Sequence, residues 1–367
     1  MLTALTNAFL FTGKEIITGK TLLLNDNRIE SIIEHESIPE GSEIIDCGGH
    51  FISAGLIDLQ IAGGGGYLFS ANPTAEALKA ITGAIIRSGT TGFLIAIPTN
   101  SWDVYRKVIK VVRENPYPAI LGLHIEGPYI SPMRRGAHIK EYIRQPEIED
   151  VKALITEGKG VVKMLTLAPE VCSPEIVGLL NENGIVVAAG HSNATFSEAV
   201  EGFSWGIRTT THLFNAMSQL HHRDPGLPGA VFQSENVFAS IIADGIHVDY
   251  SMVSIAKKIL KERLFLISDA VEENSKDSYM HVRQSDRFTL PDGTLSGSLL
   301  TMIKAVSNCN ENAGIPVDEA LRMASAYPAK VMNIRDKGRI EPGFKADLVV
   351  FDRNFNIVQV FVEGVKV

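Results

Sequence analysis

The sequence predicts an α/β fold: a (β/α)8 TIM-like barrel with a small β-sandwich domain built from both chain termini. Three observations carry this. The middle of the chain alternates apolar, strand-like runs with helical segments eight times. The first fifty residues and the last thirty are instead short β-like runs broken by turns. Five of the central strand-like runs stop on histidine, aspartate or glutamate, at the end of the strands where sites of this fold form.

The eight runs are 56–61, 92–97, 119–126, 161–168, 185–190, 208–212, 239–243 and 264–268. Helix signals lie between them. Ser173-Pro174 opens one helix, with proline at its first position, and Gly184 closes it. Thr195 and Glu198 form a capping box. The segment EALKAITGAIIRSG ends at Gly89. Eight units over about 270 residues match the roughly 250 of a typical barrel. A doubly wound open sheet is the alternative. The run AGGGGY, Ala62 to Tyr67, lacks the helix and acidic partner that a dinucleotide fingerprint needs. The expected division is 1–52 with 335–367 for the β domain and 53–334 for the barrel. In the β domain, TLLLNDNRIESII reads as strand, turn, strand, and turns are expected at Gly48-Gly49, Pro342-Gly343 and Arg353-Asn354.

Composition narrows the class. Apolar residues are 45% and charged ones 21% of 367, ordinary for a soluble enzyme. A net charge of −8 argues against a nucleic-acid partner. Cys47, Cys172 and Cys309 lack metal-ligand spacing and read as reduced thiols. The N-terminus reads as a strand, not a signal peptide, and no apolar run approaches the roughly 20 residues of a membrane span. The expected location is cytoplasmic, with no membrane partner.

The strand ends carry the chemistry. The third run ends on Glu126, the fifth on His191 and the sixth on His212. The seventh leads to Asp244 and His247, the eighth to Asp269, and the first ends near Asp58 and Gln60. Singly, a strand-end histidine is most often structural, and an aspartate there is usually a helix cap. Jointly, Glu126, His191 and His212 give two imidazoles and a carboxylate converging on one mouth, the ligand set of a catalytic divalent metal. Such an ion lowers the pKa of water from 15.7 to about 7, and Asp269 is the base expected to take that water's proton. Asn215 and the backbone at Ala216 suit sugar hydroxyls, while Arg223 with His247 suits a phosphate. Arg134-Arg135 reads as a solvated loop face. His124, inside the third run, reads as structural, and 272–286 as a candidate lid.

At these residues the sequence resembles the amidohydrolase superfamily and, within it, the N-acetylglucosamine-6-phosphate deacetylases. The resemblance rests on SAGLIDLQIAGGGG, HIEGPYISPMRRGAH, AAGHSNA, TTHLFNAM, HRDPGLPGA, ADGIHVDY, ISDA, LSGSLLTM and ASAYPAKVMNI with GRIEPGFKADLVVFD. It implies that Glu126, His191 and His212 hold the metal, that Asp269 is the general acid/base, and that His138 polarises the amide carbonyl. It implies further that Ala137, Asn215, Ala216, Arg223, His247, Leu295, Ser296 and Gly297 bind the sugar phosphate. It also implies a homodimer in which the arginine reaches across to the neighbouring subunit. Where many amidohydrolases carry His-x-His, this chain has Asp58-Leu59-Gln60. Gln60 is a poor ligand beside imidazole, so one divalent ion per subunit is expected, zinc or else iron(II), with a second weak or absent. The implied reaction is deacetylation of N-acetylglucosamine 6-phosphate. Alternatives are the N-acetylgalactosamine 6-phosphate epimer, another N-acyl substrate, a phosphate-handling isomerase, and an inactive scaffold.

Overall fold

A computed structural model describes residues 1–275 and 279–367. Eight parallel strands lie side by side in chain order: β1 (Leu56–Ile61), β2 (Thr90–Pro98), β3 (Ile120–Glu126), β4 (Val162–Leu167), β5 (Val186–Ala189), β6 (Thr209–Thr210), β7 (Phe238–Ile241) and β8 (Leu264–Leu266). Each is followed by a helix: α1 (Ala75–Arg87), α2 (Trp102–Glu114), α3 (Ile148–Gly158), α4 (Pro174–Glu182), α5 (Phe196–Ser204), α6 (Gly226–Gln233), α7 (Tyr250–Leu260) and α8 (Met302–Ala313). The first and last strands meet beyond β8. There the Asp269 amide donates to Gln60 O at 3.0 Å, and Ala62 donates to Ala270 O at 2.8 Å. The barrel is thereby nearly closed.

Its sequence pattern has a direct physical cause. Strands covered by helices outside and by side chains inside are dry on both faces, so they read as unbroken apolar runs. β2 is buried from Thr90 to Ile97. The helices show the complementary pattern. On α2, Tyr105, Val108, Ile109 and Val112 are buried, one stripe at helical spacing. Ser101 caps that helix by accepting from the Val104 amide. Full burial of each such aliphatic side chain is worth about 1.5–3 kcal/mol.

The termini form a separate eight-stranded sheet. Its strands are hydrogen-bonded in one continuous order and share a core of Leu5, Leu10, Leu22, Ile52, Leu348 and Phe361. Its far edge, Arg28–Ile33, returns to the C-terminal segment, with Ile29 donating to Phe344 O and Ala346 donating to Asn27 O, both at 2.8 Å. The turn expected at Gly48-Gly49 is a bulge within one strand, Glu43–Ala54. That strand keeps parallel pairing with Leu2–Phe11 on both sides of it. Positive φ at both glycines, 61° and 75°, takes up the extra residues without reversing the chain. Among the described residues, no helix is long and apolar enough to cross a membrane.

Candidate active site

Of the chemistry-bearing residues expected at strand ends, only Glu126 is the last residue of its strand. His191, His212 and Asp269 follow β5, β6 and β8 by two or three residues, and each has left-handed φ, at 47°, 36° and 51°. Non-glycine residues in that region are uncommon and cluster where function fixes them. The curl turns three side chains inward over the barrel mouth. Gly127, at φ +88°, lets the chain leave Glu126 past β2, since a Cβ there would lie 2.1 Å from Thr99 Oγ1.

The centre is tight. Glu126 Oε1 lies 3.2 Å from His191 Nε2 and 3.0 Å from His212 Nε2, and the two nitrogens are 3.1 Å apart. The tautomers follow from the outer contacts. His191 Nδ1 faces the Arg134 carbonyl at 3.0 Å, and His212 Nδ1 faces the Asn215 carbonyl at 3.1 Å. A carbonyl only accepts, so both Nδ1 atoms carry hydrogen and both Nε2 atoms present lone pairs. Two lone pairs and a carboxylate oxygen therefore converge on one point, an arrangement that repels itself unless a cation joins it. Metal–ligand bonds of about 2.0–2.2 Å at tetrahedral angles put ligand atoms about 3.3–3.6 Å apart. The observed spacings are a few tenths shorter, and the three residues fit a divalent ion. They form the metal-capable histidine/acid group found among the described residues.

The titration of these groups tells the same story. Burial, with His138 nearby, pushes His191 down to about 4, so it is neutral, the form that ligates. Burial works to raise Glu126, but its close polar contacts with His138, His191 and His212 hold it well below the usual carboxylate range. Burial also works to lower His212, yet the charge of the Glu126 carboxylate in contact with it carries it upward. Asp269 is raised by burial and by the Glu126 charge.

Gln60 binds the two acids together: its amide nitrogen donates to Glu126 Oε1 at 3.0 Å and to Asp269 Oδ1 at 2.9 Å. Asp58, the other polar residue of β1, is fully buried. It accepts from the Ser268 amide and hydroxyl, tying β1 to the segment after β8, and burial pushes it up to about 7. His124 is also turned inward. Its Nδ1 meets the Leu59 carbonyl at 3.0 Å and its Nε2 meets Thr166 Oγ1 at 2.7 Å, so both ring nitrogens are used away from the centre.

A cavity of about 370 Å³ opens beside the centre. Glu126, His191, His212, Asp269 and His138 line it. So do Ala137, Asn215, Ala216 and His247, and across from them Leu295, Ser296 and Gly297. The last three lie on the strand Leu295–Ser298 of a small antiparallel sheet between β8 and α8. His247 Nδ1 is 2.6 Å from Asp244 Oδ2, which leaves its Nε2 for the cavity. Arg223 is not brought to this wall; it is exposed in the loop before α6.

Sequence reasoning missed three lining or supporting residues. Thr99 is fully buried, and its amide (3.3 Å) and Oγ1 (2.7 Å) both meet His138 Nδ1. An amide nitrogen only donates, so the His138 hydrogen sits on Nε2, which lies 3.6 Å from Glu126 Oε2. Tyr279 donates to Thr99 O at 2.5 Å, and His281 Nδ1 meets Ser296 Oγ at 2.9 Å. Both belong to the stretch 272–286 read as a lid. They are buried against the cavity, while residues 276–278 of that stretch lie outside the described residues. The signal for Thr99 was the Pro98-Thr99 end of β2, which carries no ionisable group.

Barrel, cradle and inward carboxylate define a class: a metal-dependent hydrolase on a (β/α)8 scaffold. Residues 51–367 match the amidohydrolase family, and residues 2–52 match the NagA composite domain. The N-acetylglucosamine-6-phosphate deacetylase of Haemophilus influenzae is 33% identical, with 98% of each chain covered. The crystal structure of N-acetylglucosamine-6-phosphate deacetylase from Pasteurella multocida superposes with a TM-score of 0.95 at 35% identity, covering 99% of each chain. A mutant N-acetyl-D-glucosamine-6-phosphate deacetylase from Mycobacterium smegmatis, solved in complex with N-acetyl-D-glucosamine-6-phosphate, gives 0.91 at 26% identity, covering 100% of this chain and 99% of that one. The chain belongs to the amidohydrolase family, in its N-acetylglucosamine-6-phosphate deacetylase branch.

Proposed function

We propose that this chain hydrolyses the acetamide of N-acetylglucosamine 6-phosphate to glucosamine 6-phosphate and acetate. The observation that carries the reading is the convergence of Glu126 Oε1, His191 Nε2 and His212 Nε2 within 3.0–3.2 Å, with Asp269 joined to Glu126 through Gln60. Glu126, His191 and His212 hold one divalent ion, zinc or iron(II), both suited to two imidazoles and a carboxylate. When bound, it supplies Lewis acidity that polarises the amide carbonyl and acidifies water. Gln60 turns its amide NH2 inward, a group with no lone pair to offer a second ion.

Asp269 accepts a proton from the attacking water as the water oxygen bonds to the carbonyl carbon. His138 donates from Nε2 to the carbonyl oxygen as negative charge grows there. Asp269 then gives the proton to the amine nitrogen as the C–N bond breaks, releasing acetate. Asn215, Ala216 and Ala137 contact the sugar on one side, and Leu295, Ser296 and Gly297 on the other. His247, oriented by Asp244, binds the phosphate. Arg223 serves the cavity of the neighbouring subunit in a homodimer, consistent with its exposure outside its own.

The test is acetate release from N-acetylglucosamine 6-phosphate by metal-replete and chelator-treated protein. Metal-dependent release supports the reading; no release from replete protein contradicts it. Parallel kinetics on the galactosamine epimer fix the sugar.

A further inference from the structure

The substrate proposed above carries a dianionic phosphate into a cavity already lined by Glu126 and Asp269. Such a cavity needs fixed positive charge on its wall. His247 is paired with Asp244 at 2.6 Å, so its net contribution is small. Arg223 lies outside the lining. The guanidinium among the described lining residues belongs to Arg134, which the sequence suggested was a solvated loop residue.

Its setting is built. Arg134 is half-buried, and its Nε donates to Asn193 Oδ1 at 2.8 Å, fixing the plane of the fork. Its own carbonyl accepts from His191 Nδ1 at 3.0 Å, and its amide donates to Ser131 O at 3.0 Å, so the backbone beneath is anchored to the metal cradle. The loop passes close to Ala216: a Cβ on Gly136 would lie 3.9 Å from the Ala216 methyl and 3.4 Å from the His191 ring. Among the described residues the Nη groups of Arg134 meet no protein acceptor and form no ion pair. A guanidinium with one nitrogen held and the rest of its fork uncommitted is the form in which arginine takes a phosphate by two parallel hydrogen bonds.

We propose that Arg134 is a specificity-determining residue of this chain's own cavity, gripping the phosphate of the bound amino sugar. The proposal rests on the sugar-phosphate reading of the site. It gives each subunit its own cation for the phosphate, beside any that a partner supplies.

The test is the ratio of kcat/KM for N-acetylglucosamine 6-phosphate to that for N-acetylglucosamine, measured on metal-replete protein. Arg134→Gln should lower this ratio about ten- to hundredfold, the loss typical of a charge-assisted hydrogen bond, and weaken competitive inhibition by inorganic phosphate. Arg134→Lys, which keeps charge but loses the fork, should recover part of the ratio. Bound metal should be unchanged in both, because the carbonyl that holds His191 remains. A ratio equal to wild type in Arg134→Gln, with both substrates slowed alike, would overturn the proposal and leave Arg134 as a brace for the loop. A wild-type protein with no preference for the phosphorylated sugar would instead remove the substrate reading beneath it.

Discussion

Two polar clusters sit inside this barrel, begun two residues apart on β3, and their histidines do opposite work. Around His124 every donor finds an acceptor. Nδ1 donates to Leu59 O, Thr166 Oγ1 donates to Nε2, and Thr211 Oγ1, 2.6 Å from Thr166 Oγ1, completes the chain. Around Glu126 the same kind of side chain is held from behind by a carbonyl, and its second nitrogen points at other lone pairs. The first cluster is complete without a guest. The second has its electrostatics balanced only by a cation. Burial does not separate them, because His124, His191 and His212 are all at least 95% buried. What separates them is whether both ring nitrogens are satisfied by neutral partners.

The comparison can be broken most severely at Asp269. Asp269→Asn keeps shape but cannot take a proton, so kcat should fall by at least about 10²–10⁴ with bound metal retained. Near-normal turnover would remove it as the base. Thr99 offers a finer test. Thr99→Val removes Oγ1 from His138 Nδ1 while leaving the backbone amide, and kcat should drop about 10–100-fold with KM little changed, as for other residues that orient a working imidazole. Thr99→Ser should restore most of it; a Ser variant as slow as Val would make the effect one of packing. The smallest catalytic effect should come from the closed cluster. His124→Ala leaves Thr166 and Leu59 O without their partner, costing about 1–3 kcal/mol of stability for each buried group left unpaired. It should lower the thermal midpoint yet leave metal content at the wild-type level. Loss of metal in this variant would erase the distinction between the two clusters.

Much of this was legible in the sequence. All eight barrel strands lie where dry, unbroken runs end in turn residues, and the cluster of Glu126, His191 and His212 shows because charge at the end of such a run needs a reason. What stayed hidden depended on direction and partners. Nothing in HIE says that His124 hydrogen-bonds sideways while Glu126 faces two imidazole nitrogens; the two share a strand face, and only the neighbours on β1 and β4 decide. Thr99 is invisible to a search for ionisable groups, because its work is done through an amide and a hydroxyl. Arg134 and Arg135 read alike as loop cations until Asn193 is seen to hold one of them. The Gly48-Gly49 pair signals a turn just as well as a bulge, and the parallel partner strand makes it a bulge.

The central claim is that Glu126, His191 and His212 form one cation site. Its most direct test is metal stoichiometry by elemental analysis of wild type and Glu126→Gln, purified in parallel and loaded with zinc. The account predicts one tightly held divalent ion per wild-type chain and far less than one in the variant. Equal metal in both proteins, or full activity in wild-type protein stripped of metal, would contradict it.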